Sequence, residues 1–299
     1  MPNPRVDDRV ERKGQWWRQV GGKLLVLALF GLSSCRSAEP NAELERIWGI
    51  LRHGDLIRAH KESIRALHSF PDPASEWHWR FAILDATALN LSGNYKDVLS
   101  LLAQPFPASL HDSELALQKS LLEAQAYARL HRFEEAEARV KEVSQSPHTT
   151  HGTIACELMK ARGMLEMEQG NYADASNSFG AMLGIARQRG DRFLESMALL
   201  DMGFAALQQE HFDSAVDWSN EAISSARGID ARLVEEVALG NLGWARYKTG
   251  DTERALQLFV DANNRATGLG DIAGEILWLT ATGYVYLGEN RFDVAARQR

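Results

Sequence analysis

The sequence predicts an all-α protein built as a solenoid of antiparallel helix pairs, with about 40 residues in each unit. Three observations support this fold class. Glycines recur at intervals of forty residues, alanines recur in register with them, and Gly-Asn or Gly-Asp turns separate the apolar stretches. A single helix pair cannot bury its apolar face alone, so successive pairs must stack on one another.

The small residues mark equivalent positions in the two helices of a unit. The glycines and the matching alanines are Gly163, Gly203, Gly243 and Gly283, with Ala175, Ala215, Ala255 and Ala295. Towards the N-terminus the spacing shortens to 38 or 39 residues, through Ala59, Val98 and Ala136. Small side chains at both positions allow the two helices to approach closely. A turn glycine accepts the left-handed conformation that ends one helix, and the Asn or Asp after it caps the next.

These units resemble tetratricopeptide repeats. The best match is Leu242-Gly243-Trp244-Ala245-Arg246-Tyr247 with Gly250-Asp251, Ala255 and Phe259, and another good unit contains Gly163, Tyr172, Ala175 and Phe179. The resemblance covers about residues 43–299 in seven units, of which the first three are degenerate and the last is truncated. Each unit exceeds the usual 34 residues by about six. The resemblance implies a right-handed superhelix whose first helices line a concave groove.

Residues 1–34 are predicted to be a secretory signal peptide. Residues 1–23 carry six basic side chains against three acidic ones, and an uncharged apolar run from Leu24 to Leu32 follows. A basic segment before a short apolar segment is typical of such a signal. The nine residues of the run are too few to span a bilayer as a helix, which needs about twenty.

The apolar run ends in Leu32-Ser33-Ser34-Cys35, which resembles the lipobox of bacterial lipoproteins. That resemblance implies cleavage after Ser34 and acylation of Cys35, with residues 35–42 as a lipidated tether and residues 43–299 as the solenoid. It implies a membrane-anchored lipoprotein in the bacterial cell envelope, facing the periplasm or the exterior. The alternatives are an uncleaved signal anchor or a chance cysteine after a start-site error.

Charge and motifs argue against several classes of function. The formal net charge of −7 disfavours nucleic-acid binding, which needs an excess of lysine and arginine. His148, His151, Cys156 and Glu157 lack the spacing of a zinc site or of a nucleophile with its base, so a solvated turn is expected there. The glycines of Gly268–Gly274 could suggest a dinucleotide-binding loop, but such a loop follows a strand and no strand is predicted before them. A turn between units is therefore expected there. We therefore expect no enzymatic activity, cofactor, metal or small-molecule substrate.

The candidate binding site is an apolar stripe on the first helices of units four to seven. Its members are Met164, Met167, Leu200, Phe204, Trp244, Tyr247, Tyr284 and Leu287. Aromatic residues and adaptable methionines suit an extended or helical peptide. The chaperone-binding subtype, which grips a C-terminal carboxylate, would need polar groups at several of these positions, so it is not expected. The alternative is that tight curvature buries the stripe between adjacent first helices.

The sequence thus predicts a non-catalytic, lipid-anchored scaffold that binds a protein or peptide through its concave groove. A second interpretation rests on four features: the predicted signal peptide, the degenerate early units, the segment Asn241-Leu242-Gly243-Trp244 and the Gly-Asp turns. These features together resemble the repeat region that precedes a CHAT domain, a caspase-like cysteine protease module. That resemblance implies a sensor or autoinhibitory arm whose catalytic domain lies beyond residue 299.

Overall fold

The computed structural model describes residues 39–149 and 152–289. The chain divides into two units, Met1–Ala42 and Glu43–Arg299, and the repeats lie in the second. The predicted signal peptide, Cys35 and residues 290–299 lie outside the described residues. Over residues 39–149 and 152–289, no helix is both long enough and apolar enough to cross a bilayer.

Thirteen α-helices account for most of the described chain, which contains no strand. The first three pairs are α1 (Pro40–His53) with α2 (Leu56–Ser69), α3 (Glu76–Leu91) with α4 (Tyr95–Leu102), and α5 (Glu114–Arg129) with α6 (Phe133–Ser144). The next three pairs are α7 (Thr153–Glu168) with α8 (Tyr172–Arg189), α9 (Arg192–Gln208) with α10 (Phe212–Arg227), and α11 (Arg232–Lys248) with α12 (Thr252–Leu269). Helix α13 (Ile272–Gly288) begins the seventh unit, and α1 begins within the range assigned to the tether. The predicted all-α solenoid of helix pairs is confirmed.

The repeated glycines allow the second helix of a unit to insert a side chain against the first. A Cβ atom on Gly163 would lie 2.5 Å from the ring of Phe179, and one on Gly243 would lie 2.7 Å from the ring of Phe259. Both phenylalanine rings are buried. The forty-residue glycine period therefore reflects close packing of α7 on α8 and of α11 on α12.

Glycine and aspartate turns separate the later units as expected. Gly190 and Gly270 adopt φ values of 68° and 70° at the ends of α8 and α12. The side chains of Asp191 and Asp271 then accept hydrogen bonds from backbone N–H groups at the starts of α9 and α13. These aspartates satisfy donors that the first turn of a helix leaves free.

The first unit also contacts the fifth and sixth units, which are remote from it in sequence. A Cβ atom on Gly54, in the turn between α1 and α2, would lie 2.8 Å from the Cβ of Leu233 on α11. His53 Nδ1 lies 3.0 Å from a carboxylate oxygen of Asp230, just before α11. Phe193 of α9 packs against the buried cluster that α1, α2 and α3 form. Helix α1 therefore bounds part of the concave face.

Candidate functional site

A cavity of about 240 Å³ lies on the concave face of the first five units. Its walls come from the first helices α1, α3, α5, α7 and α9 and from the cap residue Asp191. Apolar side chains such as Ile83, Leu121 and Met197 form part of the wall, together with a set of polar side chains. An enclosed, partly apolar space with a few convergent polar groups is typical of a ligand site.

Two amide side chains form the centre of the polar wall. Asn90 Nδ2 of α3 donates a hydrogen bond to Gln125 Oε1 of α5 at 2.9 Å. The two residues are only 6% and 4% exposed. Asn90 Oδ1 is buried and has no hydrogen-bond partner within residues 39–149 and 152–289. An unsatisfied buried acceptor costs about 1–3 kcal/mol, so this oxygen marks a place where a bound group would complete the hydrogen bonding.

Helix α7 adds a carboxylate and an ammonium group to the same wall, Glu157 and Lys160. Burial raises the pKa of Glu157 to about 7, and the charges of Glu114 and Asp191 also raise it, while Lys160 opposes the shift. Burial likewise raises the pKa of Asp201 on α9 to about 6, again against the effect of Lys160. One oxygen of Asp201 is buried without a hydrogen-bond partner in the described part of the chain.

The rim of the cavity is basic. The guanidinium group of Arg52 lies over the ring of Trp48, with Cζ 5.6 Å from the ring centroid. A neighbouring hollow shares Arg52, Asp191 and Phe193 with the cavity and adds the exposed Arg189 and Arg192. The acidic side chain of Asp191 is already committed, because it accepts a hydrogen bond from the backbone of α9.

The structure places the predicted apolar stripe beyond this cavity, on α7, α9, α11 and α13. Met164 is buried in a cluster with Ala175 and Phe179, so it belongs to the core, and Met167 packs at the edge of that cluster. Leu200 is half-buried. Phe204 is 39% exposed and Leu287 is 47% exposed. Packing against neighbouring helices therefore covers part of the stripe and leaves part of it exposed.

The aromatic members of the stripe pack against one another. The centroid of the Trp244 ring lies 6.0 Å from that of Tyr247 and 5.7 Å from that of Tyr284. Tyr247 and Tyr284 are 5.9 Å apart. Trp244 also contacts the buried ring of Phe259, at 5.2 Å. Trp244 is therefore partly structural, whereas Tyr284, which is 54% exposed, is available to a partner.

The polar wall of the cavity was not predicted from the sequence, although the repeat pattern indicates which positions face it. Trp244 and Tyr284 each follow the repeated glycine by one residue. In the degenerate units two and three, the same position is occupied by Thr87 and Gln125. Extending the repeat register to units two and three would therefore have placed these polar side chains on the groove wall.

Of the residues considered for a metal or a nucleophile, the structure describes the side chains of Cys156 and Glu157. Cys156 is fully buried, its Sγ lies 3.6 Å from the carbonyl oxygen of Met182, and burial raises its pKa to about 12. A thiol with this pKa is almost entirely protonated at neutral pH. His151 and the side chain of His148 lie outside the described residues, and no group of His, Cys, Asp and Glu within those residues is arranged to hold a metal ion.

A family model and three solved structures are similar to this chain. The model describes the N-terminal domain of EccA1, a protein of the ESX-1 type VII secretion system, and it matches residues 58–186. A Rap protein complexed with competence and sporulation factor has a TM-score of 0.64 and 13% identity, covering 88% of this chain and 75% of its own.

Two further structures share the architecture. A STAND ATPase with a tetratricopeptide repeat sensor, from Pyrococcus horikoshii, has a TM-score of 0.56 and 17% identity over 89% of this chain. The match spans only 46% of that protein. BtubC from P. vanneervenii has a TM-score of 0.54 and 16% identity, covering 74% of this chain and 87% of its own. No curated protein matches the sequence. These likenesses show the fold, a tetratricopeptide-type α-solenoid.

Proposed function

We propose that the chain is a non-catalytic protein-interaction scaffold that binds a peptide segment along its concave groove. The observation that carries the proposal is the pair of buried amides in the cavity. Asn90 Oδ1 has no donor, and Gln125 Nε2 makes no hydrogen bond within the described chain. An acceptor and a donor on two hydrogen-bonded side chains match the N–H and C=O groups of an extended peptide backbone.

The apolar surfaces around the amides suit the side chains of such a peptide. Ile83 and Leu121 line the cavity beside the amides, and the exposed Phe204 and Tyr284 continue the groove on α9 and α13. Exposed apolar patches of this kind often mark binding sites. The similar Rap protein was solved in complex with competence and sporulation factor, which supports a partner-binding role for this fold.

A peptide library tests the proposal. We expect the full chain, immobilised, to enrich a subset of random hexapeptides, and Gln125→Ala to weaken binding of the enriched peptides by about tenfold, because a lost hydrogen bond costs about 1.4 kcal/mol. Gln188→Ala is the matched control, since Gln188 is exposed on the second helix α8. Equal binding by the two variants would contradict a groove site at the amides.

We further propose that the scaffold is anchored to a bacterial envelope membrane through acylated Cys35. The proposal rests on the apolar run and the Leu32-Ser33-Ser34-Cys35 segment. Several acyl chains on one cysteine would bind a bilayer stably, since each buried methylene contributes about 0.8 kcal/mol. We expect Cys35→Ala to leave the chain unprocessed or to release it from membranes, with Cys156→Ala as control. Unchanged membrane extraction and mass of Cys35→Ala would contradict the anchor.

A second candidate is that the repeats act as the sensor or autoinhibitory arm of a larger protein of the CHAT type. The P. horikoshii STAND protein supports this, because it is an ATPase with a tetratricopeptide repeat sensor and the match covers only 46% of its chain. The native mass separates the candidates, measured in a detergent extract with an antibody to residues 150–290. A mass near that of the mature chain plus acyl groups supports the scaffold, and a much larger mass supports the sensor arm.

A further inference from the structure

The cavity wall includes the half-buried Glu157 and Lys160 of α7, and Lys160 also acts on Asp201 of α9, which does not line the cavity. Lys160 lowers the pKa of both Glu157 and Asp201, yet burial keeps both values raised. Arg129, which also acts on Asp201, is already bound to Glu168 at 2.8 Å. Although the rim of the cavity is basic, neither Glu157 nor Asp201 forms an ion pair within the described residues.

Besides the donor Gln125 Nε2, the cavity wall presents hydrogen-bond acceptors that have no partner within the described residues. Asn90 Oδ1 is buried in the cavity wall without a donor. The carboxylate of Glu157, on the same wall, forms no ion pair or side-chain hydrogen bond within the described residues. Asn90 Oδ1 and the Glu157 carboxylate both accept hydrogen bonds, so a group that fits between them must supply N–H donors. A positively charged donor would also form an ion pair with the carboxylate of Glu157.

We propose that this cavity selects peptides carrying a basic side chain, and that its guanidinium or ammonium group binds between Glu157 and Asn90 Oδ1. The inference rests on the proposed peptide function and specifies its ligand. The cavity volume of about 240 Å³ corresponds to about eight water molecules, enough for the seven heavy atoms of an arginine side chain. Arginine fits best, because its five N–H donors can reach several acceptors at once.

The test compares three hexapeptide pools that differ only in the residue at one fixed position. The pools have blocked ends and uncharged residues except for one fixed position, which is arginine, the neutral isostere citrulline, or glutamate. Each pool is passed over the immobilised full chain. We expect about tenfold or greater preference for arginine over citrulline, since a charge-assisted hydrogen bond contributes about 1.5–3 kcal/mol.

Two variants show where the selection arises. Glu157→Gln keeps the shape of the side chain and removes its charge, so the arginine-to-citrulline ratio should fall to within about twofold of one. Glu253→Gln is the matched control, because Glu253 is exposed on the second helix α12, and its ratio should equal that of the unmodified chain. A Glu157→Gln ratio as high as that of the control would overturn the assignment to Glu157.

The unmodified chain gives an independent readout through pH. The groups acting on Glu157 are Lys160 on its own helix and Glu114 and Asp191 from neighbouring helices, with Arg52 at the rim. Because the pKa of Glu157 is about 7 and arginine stays charged, the arginine-to-citrulline ratio should rise from pH 6 to pH 8. Equal retention of the two pools at pH 8, or preference for glutamate, overturns the charge selection alone. Failure to retain any pool contradicts the peptide function as well.

Discussion

Gly240 shows how strongly one missing side chain constrains this packing. A Cβ atom there would lie 2.0 Å from Cη2 of Trp278, whose ring is 2% exposed. We predict that Gly240→Ala lowers the free energy of unfolding by about 1–3 kcal/mol through overpacking. Gly180→Ala on α8 is the control, because no heavy atom lies within 4 Å of its added Cβ. Urea denaturation should show the control gaining about 0.5–1 kcal/mol from helix propensity; a similar gain for Gly240→Ala would refute the clash.

The neighbouring carboxyl of Glu236 makes stability depend on pH. It is 1% exposed and accepts a hydrogen bond from Trp278 Nε1 at 2.9 Å. Burial raises its pKa to about 7, and Asp271 and Glu275 add to the shift, although the Trp278 bond opposes it. A raised folded-state pKa means that the folded protein holds this proton more tightly than the unfolded chain. Its stabilising effect is therefore complete below about pH 4.5 and is lost as pH rises to about 7.

Glu236→Gln should remove the loss of stability that the unmodified chain shows as pH rises. The amide oxygen still accepts the Trp278 hydrogen bond, and no buried charge forms at high pH. We predict that the variant is more stable than the unmodified chain by about 1–3 kcal/mol at pH 8, with a smaller difference at pH 5. Urea unfolding at the two pH values measures this. An equal difference in the free energy of unfolding between the two chains at pH 5 and pH 8 would show that Glu236 does not titrate with a raised pKa.

Residue-scale prediction from the sequence succeeded where a position repeats. The period placed Gly163 and Gly243 where small side chains are needed, and the structure shows the phenylalanine rings that need the space. The buried carboxyl of Glu236 could not be predicted in this way. Its environment depends on Trp278 of the next unit, and neither residue recurs at the repeat interval.

At the scale of helices, α11 and α13 show how the groove stripe combines binding and packing. Trp244 of α11 contacts Phe259 of α12 and Tyr284 of α13. We predict that Trp244→Ala costs about 2–4 kcal/mol, because it removes a half-buried aromatic side chain from between three helices. Leu287→Ala, at a residue 47% exposed, should cost less than about 1 kcal/mol.

Hydrogen exchange locates the effect of these two substitutions. In a solenoid each unit depends on its neighbours, so Trp244→Ala should speed amide exchange in α12 and α13 before the earlier helices respond. Leu287→Ala should leave exchange in α12 unchanged. Uniform protection in both variants would mean that Trp244 lies on the surface without a packing role.

The helices themselves were predictable because their signals are local. Gly190 with Asp191 and Gly270 with Asp271 fixed two boundaries between units, and both turns have the expected conformation. The polar wall of the cavity was harder to predict, because Thr87 and Gln125 lie in units whose glycine is replaced by alanine. The repeat positions of those units can still be aligned with the later units, but the glycine that identifies them is absent.

At the scale of the whole repeat unit, the contact between unit one and units five and six bounds the cavity. Gly54 has a φ of 105°, and its missing side chain leaves room for Leu233. We predict that Gly54→Ala detaches α1 and α2 from α11, because the added Cβ would lie 2.8 Å from both the Cβ and the backbone nitrogen of Leu233. Hydrogen exchange in α1 and α2 should become faster.

Gly170→Ala is the control for backbone strain alone. Gly170 also has a positive φ, 79°, but nothing lies within 4 Å of an added Cβ. Both variants carry about 1–2 kcal/mol of backbone strain. Only Gly54→Ala should alter exchange in α1 and α2. An equal response in both variants would show that strain, and not the contact with Leu233, sets the protection of the first unit.

This contact was not predictable from the sequence. Repeat patterns predict which faces of neighbouring helices meet, whereas the contact of Gly54 with Leu233 joins unit one to unit six, five repeats away. It depends on the small rotation between successive units, summed over several of them. For the same reason, the sequence indicated a groove on the later units but not the cavity that α1 helps to enclose.

Photo-crosslinking tests the groove proposal most directly. A library-selected hexapeptide carrying a photoreactive group is irradiated with the full chain, and the crosslinked residues are mapped by mass spectrometry. We predict crosslinks on the first helices α3, α5, α7 and α9, near Asn90 and Gln125, which line the cavity. Crosslinks confined to the second helices α4, α6, α8 and α10 would contradict a concave binding site.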